Sequence, residues 1–239
     1  MRLGRTGFVF SLFAPLYLLV VSSAAYGGLI VASGAGPLLP SAEDLTGTDV
    51  TEITGSLSTD PNDVSLFEID IINPVDFSAM TVDAGPFAIP DTELFLFDST
   101  GLGVYFNDDI SGANTLSCLP SSDAANPCQT PAAGLGPSAS GIYYLGIARS
   151  ANGPQDASSN EIFTNILSTD VVGPNAGAGP LAMWDDNAFT QPNFDLVDYD
   201  ILITGTTPAT PSTPEPATWV LSAGVLLAIG MFRRRLLVR

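Results

Sequence analysis

Between Glu52 and Thr204 the chain repeats one pattern: short runs with apolar side chains at alternate positions, separated by clusters of Gly, Pro, Asn and Asp. A period of two sends successive side chains to opposite faces of a strand, whereas a helix needs a period of 3.6. No stretch of the body carries convincing helical periodicity, which confines it to an all-β fold. In Ser65 to Ile71, Phe67, Ile69 and Ile71 share one face while Glu68 and Asp70 take the other, the signature of a half-buried strand. After Asn73-Pro74 the run Val75 to Val82 continues the pattern, with Phe77 and Ala79 alternating against Ser78 and Met80. Thr92 to Phe97 is apolar on both faces, which predicts a central strand. Gly103 to Phe106, Ile142 to Ala148 and Asp200 to Thr204 are further strands, and Glu52 to Leu57 is read as an opening edge strand. Strands spaced by turn clusters in this way predict an antiparallel, jelly-roll-like β-sandwich over residues 26–207. Ser111 to Ser140 is too long for a hairpin turn and rich in small residues, so residues 111–140 are expected to form an exposed insertion.

The two ends differ from the body. Arg2 and Arg5 precede an apolar stretch from Phe8 to Val21, followed by Ser22-Ser23-Ala24-Ala25. A basic start, a short apolar segment and small residues at its end make residues 1–25 a secretory signal peptide. A transmembrane helix would need about 20 apolar residues, and Pro15 interrupts this run. At the other end, a Pro/Thr-rich linker (208–216) closes on Thr213-Pro214-Glu215-Pro216; an uncharged apolar run (217–232) and a basic tail (233–239) beginning Arg233-Arg234-Arg235 follow. As a helix the apolar run would be roughly 24 Å long, a little short of a ~30 Å hydrocarbon core, and is expected to reach across with Trp219 at one interface and the arginines snorkelling at the other. The positive-inside rule keeps those arginines in the cytoplasm and places the body on the far side.

The order of Pro214, Glu215 and Pro216, an apolar run and Arg233 to Arg235 resembles the PEP-CTERM sorting signal of Gram-negative bacteria. The resemblance implies that a membrane-embedded exosortase recognises the three residues, cuts nearby and releases or re-anchors the body. It further implies an inner-membrane-anchored precursor destined for the cell envelope, the outer surface or an exopolysaccharide matrix. Within the body, Gly55-Ser56-Leu57, Asp60 to Phe67, Asp91 to Asp98 and Gly141 to Leu145 follow one another in an order similar to the bacterial pre-peptidase C-terminal domain. Members of that family are small β-sandwiches that accompany secreted enzymes and surface proteins, commonly as targeting, carbohydrate-binding or matrix-binding modules. The insertion and the stretch from Gly173 to Phe194, with Met183-Trp184-Asp185-Asp186, depart from the family pattern.

Charge excludes several functions. Of 25 acidic residues only Glu215 lies in the tail, and of 7 basic residues only Arg149 lies in the body, so the mature part carries 24 negative charges against one positive. Such a surface repels nucleic acid and anionic lipid and favours cations or a hydrated matrix. Cys118 and Cys128 flank a Pro/Ser/Ala/Asn-rich loop, and an exported chain meets an oxidising compartment, so they are expected to pair. A metal-thiolate or redox role is weaker, because the chain has no histidine, no second cysteine pair and no C-x-x-C spacing.

Histidine is absent and no lysine occurs, which rules out a Ser-His-Asp or Cys-His arrangement and a catalytic lysine. Paired carboxylates leave a glycosidase as a distant alternative. Asp98-Ser99-Thr100-Gly101 has one residue too many for an aspartic-protease motif and reads as a turn. Asp60 and Asp63 precede one strand, Asp91 precedes another beside Glu93, and Asp108 and Asp109 follow a third. Oxygen donors on loops suit Ca²⁺, so Asp60, Asp63, Asp91, Asp108 and Asp109 are the candidate ligands. Turn-forming hydrogen bonds explain the same residues without a metal. Arg149 is either a grip for a carboxylate ligand or a strand-end ion pair, and Trp184 is either core or a stacking platform for a sugar. These features lead to a non-enzymatic exported structural or adhesive protein, with a Ca²⁺-dependent carbohydrate-binding module as the alternative.

Overall fold

The computed structural model describes residues 27–58, 60, 62–85, 91–121, 134–164, 169–188 and 197–206. Residues 1–25, expected to be a signal peptide, and Cys128, Pro214 to Pro216, the apolar run 217–232 and Arg233 to Arg235 lie outside the described residues. Among the described residues no helix is long and apolar enough to cross a membrane.

In chain order the strands are β1 (Gly28–Val31), β2 (Glu43–Asp44), β3 (Val50–Leu57), β4 (Ser65–Ile71), β5 (Ser78–Val82), β6 (Thr92–Asp98), β7 (Gly103–Asn107), β8 (Cys118–Leu119), β9 (Gly141–Arg149), β10 (Pro154–Asp156), β11 (Leu181–Trp184) and β12 (Val197–Thr204). They build two five-stranded sheets, ordered β1-β3-β12-β5-β8 and β2-β4-β9-β6-β7, and a separate β10-β11 pair. The fold is therefore an all-β sandwich. Early in the chain, β1 to β5 alternate between the two sheets, and this weaving sets two neighbours running the same way. β1 pairs parallel with β3, and β2 pairs parallel with β4. The sheets are accordingly mixed rather than antiparallel throughout. The segment expected to open the sheet as an edge is flanked on both sides, because β3 lies between β1 and β12.

Alternation sorts the side chains into two cores. Between the sheets, Phe67, Ile69 and Ile71 of β4 and Leu94 and Leu96 of β6 meet Ile53, Leu57, Ala79, Ile201 and Ile203 of the facing sheet. On the outer face of the second sheet, Leu66, Phe95, Phe97 and Phe106 form another cluster under Ile162, Phe163, Leu181 and Trp184. The excursion carrying β10 and β11 thus covers this face, which is why Thr92 to Phe97 is apolar on both sides. Phe95 stacks on Phe106 at 5.3 Å and meets Trp184 edge-on at the same centroid distance. Such pairs each add about 0.5–1.5 kcal/mol beyond area burial.

Part of the expected exposed insertion belongs to the sandwich. Ser117 to Ser121 are buried, and β8 pairs with β5 as the last strand of its sheet. Ser117 explains the docking: its hydroxyl meets Thr92 Oγ1 at 2.7 Å, and its amide donates to Thr81 Oγ1 at 2.8 Å. Buried hydroxyls hold position only when paired in this way. At the opposite end, Gly205 accepts from the amides of Ile72 and Asn73. It adopts φ +78°, and a Cβ there would lie 2.6 Å from Phe77 Cα, so only glycine fits this turn.

Candidate metal centre

The residues of interest sit where β6 begins and β7 ends. The antiparallel ladder pairs Leu94 with Asn107, and one step beyond that pair come Glu93 and Asp108. Asp91 and Glu93 alternate with Thr92 and Leu94, so they share the outer face with Phe95 and Phe97. Asp108 shares that face with Phe106 by the same parity. The acidic group is thus the polar end of the outer aromatic cluster, and burial is imposed on it by the fold.

Asp91, Asp108 and Asp109 each place a carboxylate oxygen within 4.8 Å of the others. Asp91 Oδ1, Glu93 Oε2, Asp108 Oδ1 and Asp109 Oδ1 are buried without a hydrogen-bond partner among the described residues. Glu93 is fully buried and Asp108 is 3% exposed. Glu93 Oε1 accepts from the amide of Ala151 at 2.9 Å, which fixes the carboxylate by one oxygen and leaves the other bare. Ser150, next to Ala151 at the end of β9, partly opposes the rise in pKa at Asp91 and Asp108.

Burial raises every carboxyl in the group, and repulsion by its neighbours adds to the rise at Asp91, Glu93 and Asp108. Burial, then the charge of Asp109, pushes Asp91 up to about 6. Burial, then Asp109 and Asp91, pushes Asp108 up to about 8. Burial and the charge of Asp108 lift Glu93 well above the usual carboxylate range, although amides of Ala151 and Asn152 oppose the shift. Burial also raises Asp109. Asp156 offers the contrast: the side chain and amide of Asn160 and the amides of Gly179 and Ser158 all donate to it, and its carboxyl falls below the usual range. An acid supplied with donors is stabilised as an anion; the cluster has almost none.

Among the described residues no basic side chain supplies the missing charge. Arg149 pairs with Thr92 across the ladder, and Thr92 faces the inner side with Thr81 and Ser117. The Arg149 Nη2 donates to the Ser58 carbonyl at 2.9 Å, and the charges of Asp63 and Asp60 act on its guanidinium. Arg149 is therefore committed to the loop before β4.

The five sequence candidates consequently divide. Asp91, Asp108 and Asp109 come together, while Asp60 and Asp63 are not part of the group. Those two organise their own loop: Asp60 Oδ1 accepts from the Asn62 amide at 3.0 Å, and Asp63 Oδ2 accepts from the Ser58 amide at 2.6 Å. Glu93 was missing from the candidate set, although its spacing of two from Asp91 on a strand places both on one face. Asp98 closes the β6–β7 turn, its Oδ1 accepting from Thr100 and Leu102 amides. Trp184 is buried, with Nε1 donating to the Pro37 carbonyl at 2.8 Å, so it is core and offers no stacking platform. Cys118 is disulfide-bonded, and Cys128 is the chain's other cysteine.

Asn107 ties the acidic loop to its neighbours. Its Nδ2 donates to the Asp109 carbonyl at 3.0 Å and to the Asp170 carbonyl at 3.4 Å, and its Oδ1 accepts from the Cys118 amide at 2.8 Å. One buried amide thereby links the acidic group to β8. No protein-family model matches this chain, and no curated protein matches it at a significant level.

Proposed function

We propose that the chain is an exported, non-enzymatic β-sandwich that serves as a structural or adhesive component of the cell envelope or extracellular polysaccharide matrix. The observation that carries this reading is a Pro214-Glu215-Pro216 tail joined to a body with 24 acidic residues and one base, Arg149, which is itself buried. Such a body is a soluble polyanion that bridges to other acidic polymers through cations and repels its own copies without them. An exosortase-type enzyme is the proposed processing partner, and exopolysaccharide the proposed surroundings.

The test is fractionation of an exosortase-bearing host that expresses the full chain and its Glu215→Ala, Pro216→Ala double variant. The processed wild-type body is expected in the outer envelope or matrix fraction, and the variant in the inner membrane at precursor mass. Identical distribution and mass for both would sink the sorting reading.

A Ca²⁺-dependent carbohydrate-binding role is the second reading, favoured by a cleft of about 660 Å³ beside β1. Asp63, Asp198, Asp200, Ser33 and Thr54 line it, a polar set suited to sugar hydroxyls. A glycan array probed with and without Ca²⁺ separates the two readings. Release of reducing sugar from matrix polysaccharide would instead support the third, carboxylate-based glycosidase.

A further inference from the structure

We infer that Asp91, Asp108 and Asp109, backed by Glu93, hold one Ca²⁺ ion, and that this ion pins the loop between β7 and β8 to the sandwich. The inference goes beyond the export reading and does not depend on it, since it needs only a solution that contains the ion.

Three observations converge. The first is spacing: oxygens around one Ca²⁺ lie 2.3–2.6 Å from it, so ligands on opposite sides are roughly 5 Å apart. The three aspartate oxygens lie within 4.8 Å of one another and fit that sphere. The second is unmet demand. Four carboxylate oxygens are buried with no hydrogen-bond donor among the described residues, two of them on side chains more than nine-tenths buried. A buried anion needs a counter-charge or a proton, and a proton shared between two carboxyls still leaves the others bare. The third is the absence of an internal counter-charge among the described residues: the chain has no lysine or histidine, and Arg149, the one base in the described residues, donates to the Ser58 carbonyl beside the charges of Asp63 and Asp60.

The donor set selects the ion. It is all oxygen, which disfavours zinc and copper. Mg²⁺ demands near-ideal octahedral geometry and keeps most of its water, whereas carboxylates at the ends of two strands and the loop beyond offer an irregular, anionic cup. Ca²⁺ accepts such a cup and fills its remaining positions with water or further oxygens.

The consequence for the loop follows from the bonds around it. The Asp109 carbonyl accepts from Asn107, whose Oδ1 holds the Cys118 amide, and the Ile110 amide donates to the Leu116 carbonyl at 2.7 Å. The Thr92 amide, between Asp91 and Glu93, donates to the Thr115 carbonyl at 3.1 Å. An ion drawing Asp109 against Asp91 therefore closes the loop onto β6 along its whole length, up to the disulfide-bonded Cys118.

The full-length chain, purified in detergent and stripped with EDTA, is titrated with CaCl₂ by calorimetry, then melted with and without the ion. One site per chain is expected, with a midpoint rise of about 5–10 °C at a hundredfold excess over Kd. Asp108→Asn is expected to raise Kd at least tenfold, whereas the Asp60→Asn, Asp63→Asn double variant leaves it unchanged. Hydrogen exchange of the Ile110 and Cys118 amides is expected to slow at least tenfold when Ca²⁺ is added. Absence of binding heat and of any midpoint shift in the wild type overturns the site, and so does an Asp108→Asn variant that titrates like the wild type. Equal affinity for Mg²⁺ overturns the assignment to calcium. Binding without slower exchange in the loop overturns the pinning.

Discussion

Replacing Asp108 by Asn is expected to stabilise the calcium-free protein, and to do so only above about pH 4, near the carboxylate's ordinary pKa. The carboxyl of Asp108 ionises at 3.8 in its ordinary state and is pushed up to about 8 in the fold by burial, Asp109 and Asp91. A folded value raised above the unfolded one means that folding binds the proton more tightly. The associated stability is fully present below pH 4 and is lost as pH climbs through the folded value. At pH 7 the unfolded chain has long released a proton that the folded chain still holds. At about 1.4 kcal/mol per pH unit, this costs the fold up to roughly 4 kcal/mol. Water still reaches the partly exposed Asp109 and screens part of the repulsion, so about 2 kcal/mol is the working figure. Asn keeps the shape and has no charge to lose, so the variant escapes this cost. Urea unfolding in EDTA at pH 4 and pH 7.5 measures it. The variant and wild type should coincide at the lower pH, with the variant ahead by about 2 kcal/mol at the higher. A variant less stable than wild type at pH 7.5, or a gain of equal size at both pH values, would refute the account of the cluster as strained by unpaired charge.

Three further outcomes test the scaffold. Asn107→Ala strands the Cys118 amide and frees the Asp109 carbonyl, so urea unfolding should show a loss of about 2–3 kcal/mol; a change within 0.5 kcal/mol, roughly the scatter for surface sites, would mean the clamp is idle. Phe163→Ala removes a fully buried ring that packs on Phe95, Phe97 and Phe106, at an expected cost of about 3–5 kcal/mol; a cost below about 1 kcal/mol would show that the outer cover is not packed. In a full-length Trp219→Phe chain, Trp184 emission should be blue-shifted and several-fold less quenched by acrylamide than after unfolding in urea, and quenching equal to the unfolded chain's would place Trp184 in solvent.

The strand pattern was readable because a half-buried strand writes its two environments directly into alternate residues. Phe67, Ile69 and Ile71 point inward as their spacing demands, and β6 was recognisable as internal because both of its faces are apolar. The strands that escaped notice are those whose partners are distant in sequence and whose own pattern is weak. β1 and β2 are short and pair parallel to strands that come later, and β8 is two residues long. Ser117 gave no hydrophobic signal at all, since it is buried through its hydroxyl's pairing with Thr92 and its amide's bond to the Thr81 hydroxyl. A polar, Gly- and Ser-rich segment read as exposed can thus supply a strand when its hydroxyls find partners across the core.

The acidic site shows the same limit from the other side. Composition made acidic residues abundant everywhere, so abundance could not distinguish a ligand from a turn former. Asp60 and Asp98 accept amide hydrogen bonds from their own loops, the ordinary use of Asp at strand ends. What separates Asp91, Asp108 and Asp109 is the absence of such donors, and that depends on which faces the strands turn inward and on the cover laid over Phe95 and Phe106. The register that pairs Leu94 with Asn107 decides it: with one residue of slip, Glu93 and Asp108 would fall on opposite faces and the cluster would dissolve. The same register buries the aromatic cluster, so the stability of the outer core holds the carboxylates together against their own repulsion. A chain with a single body cation, spent elsewhere, leaves that repulsion to be offset from solution.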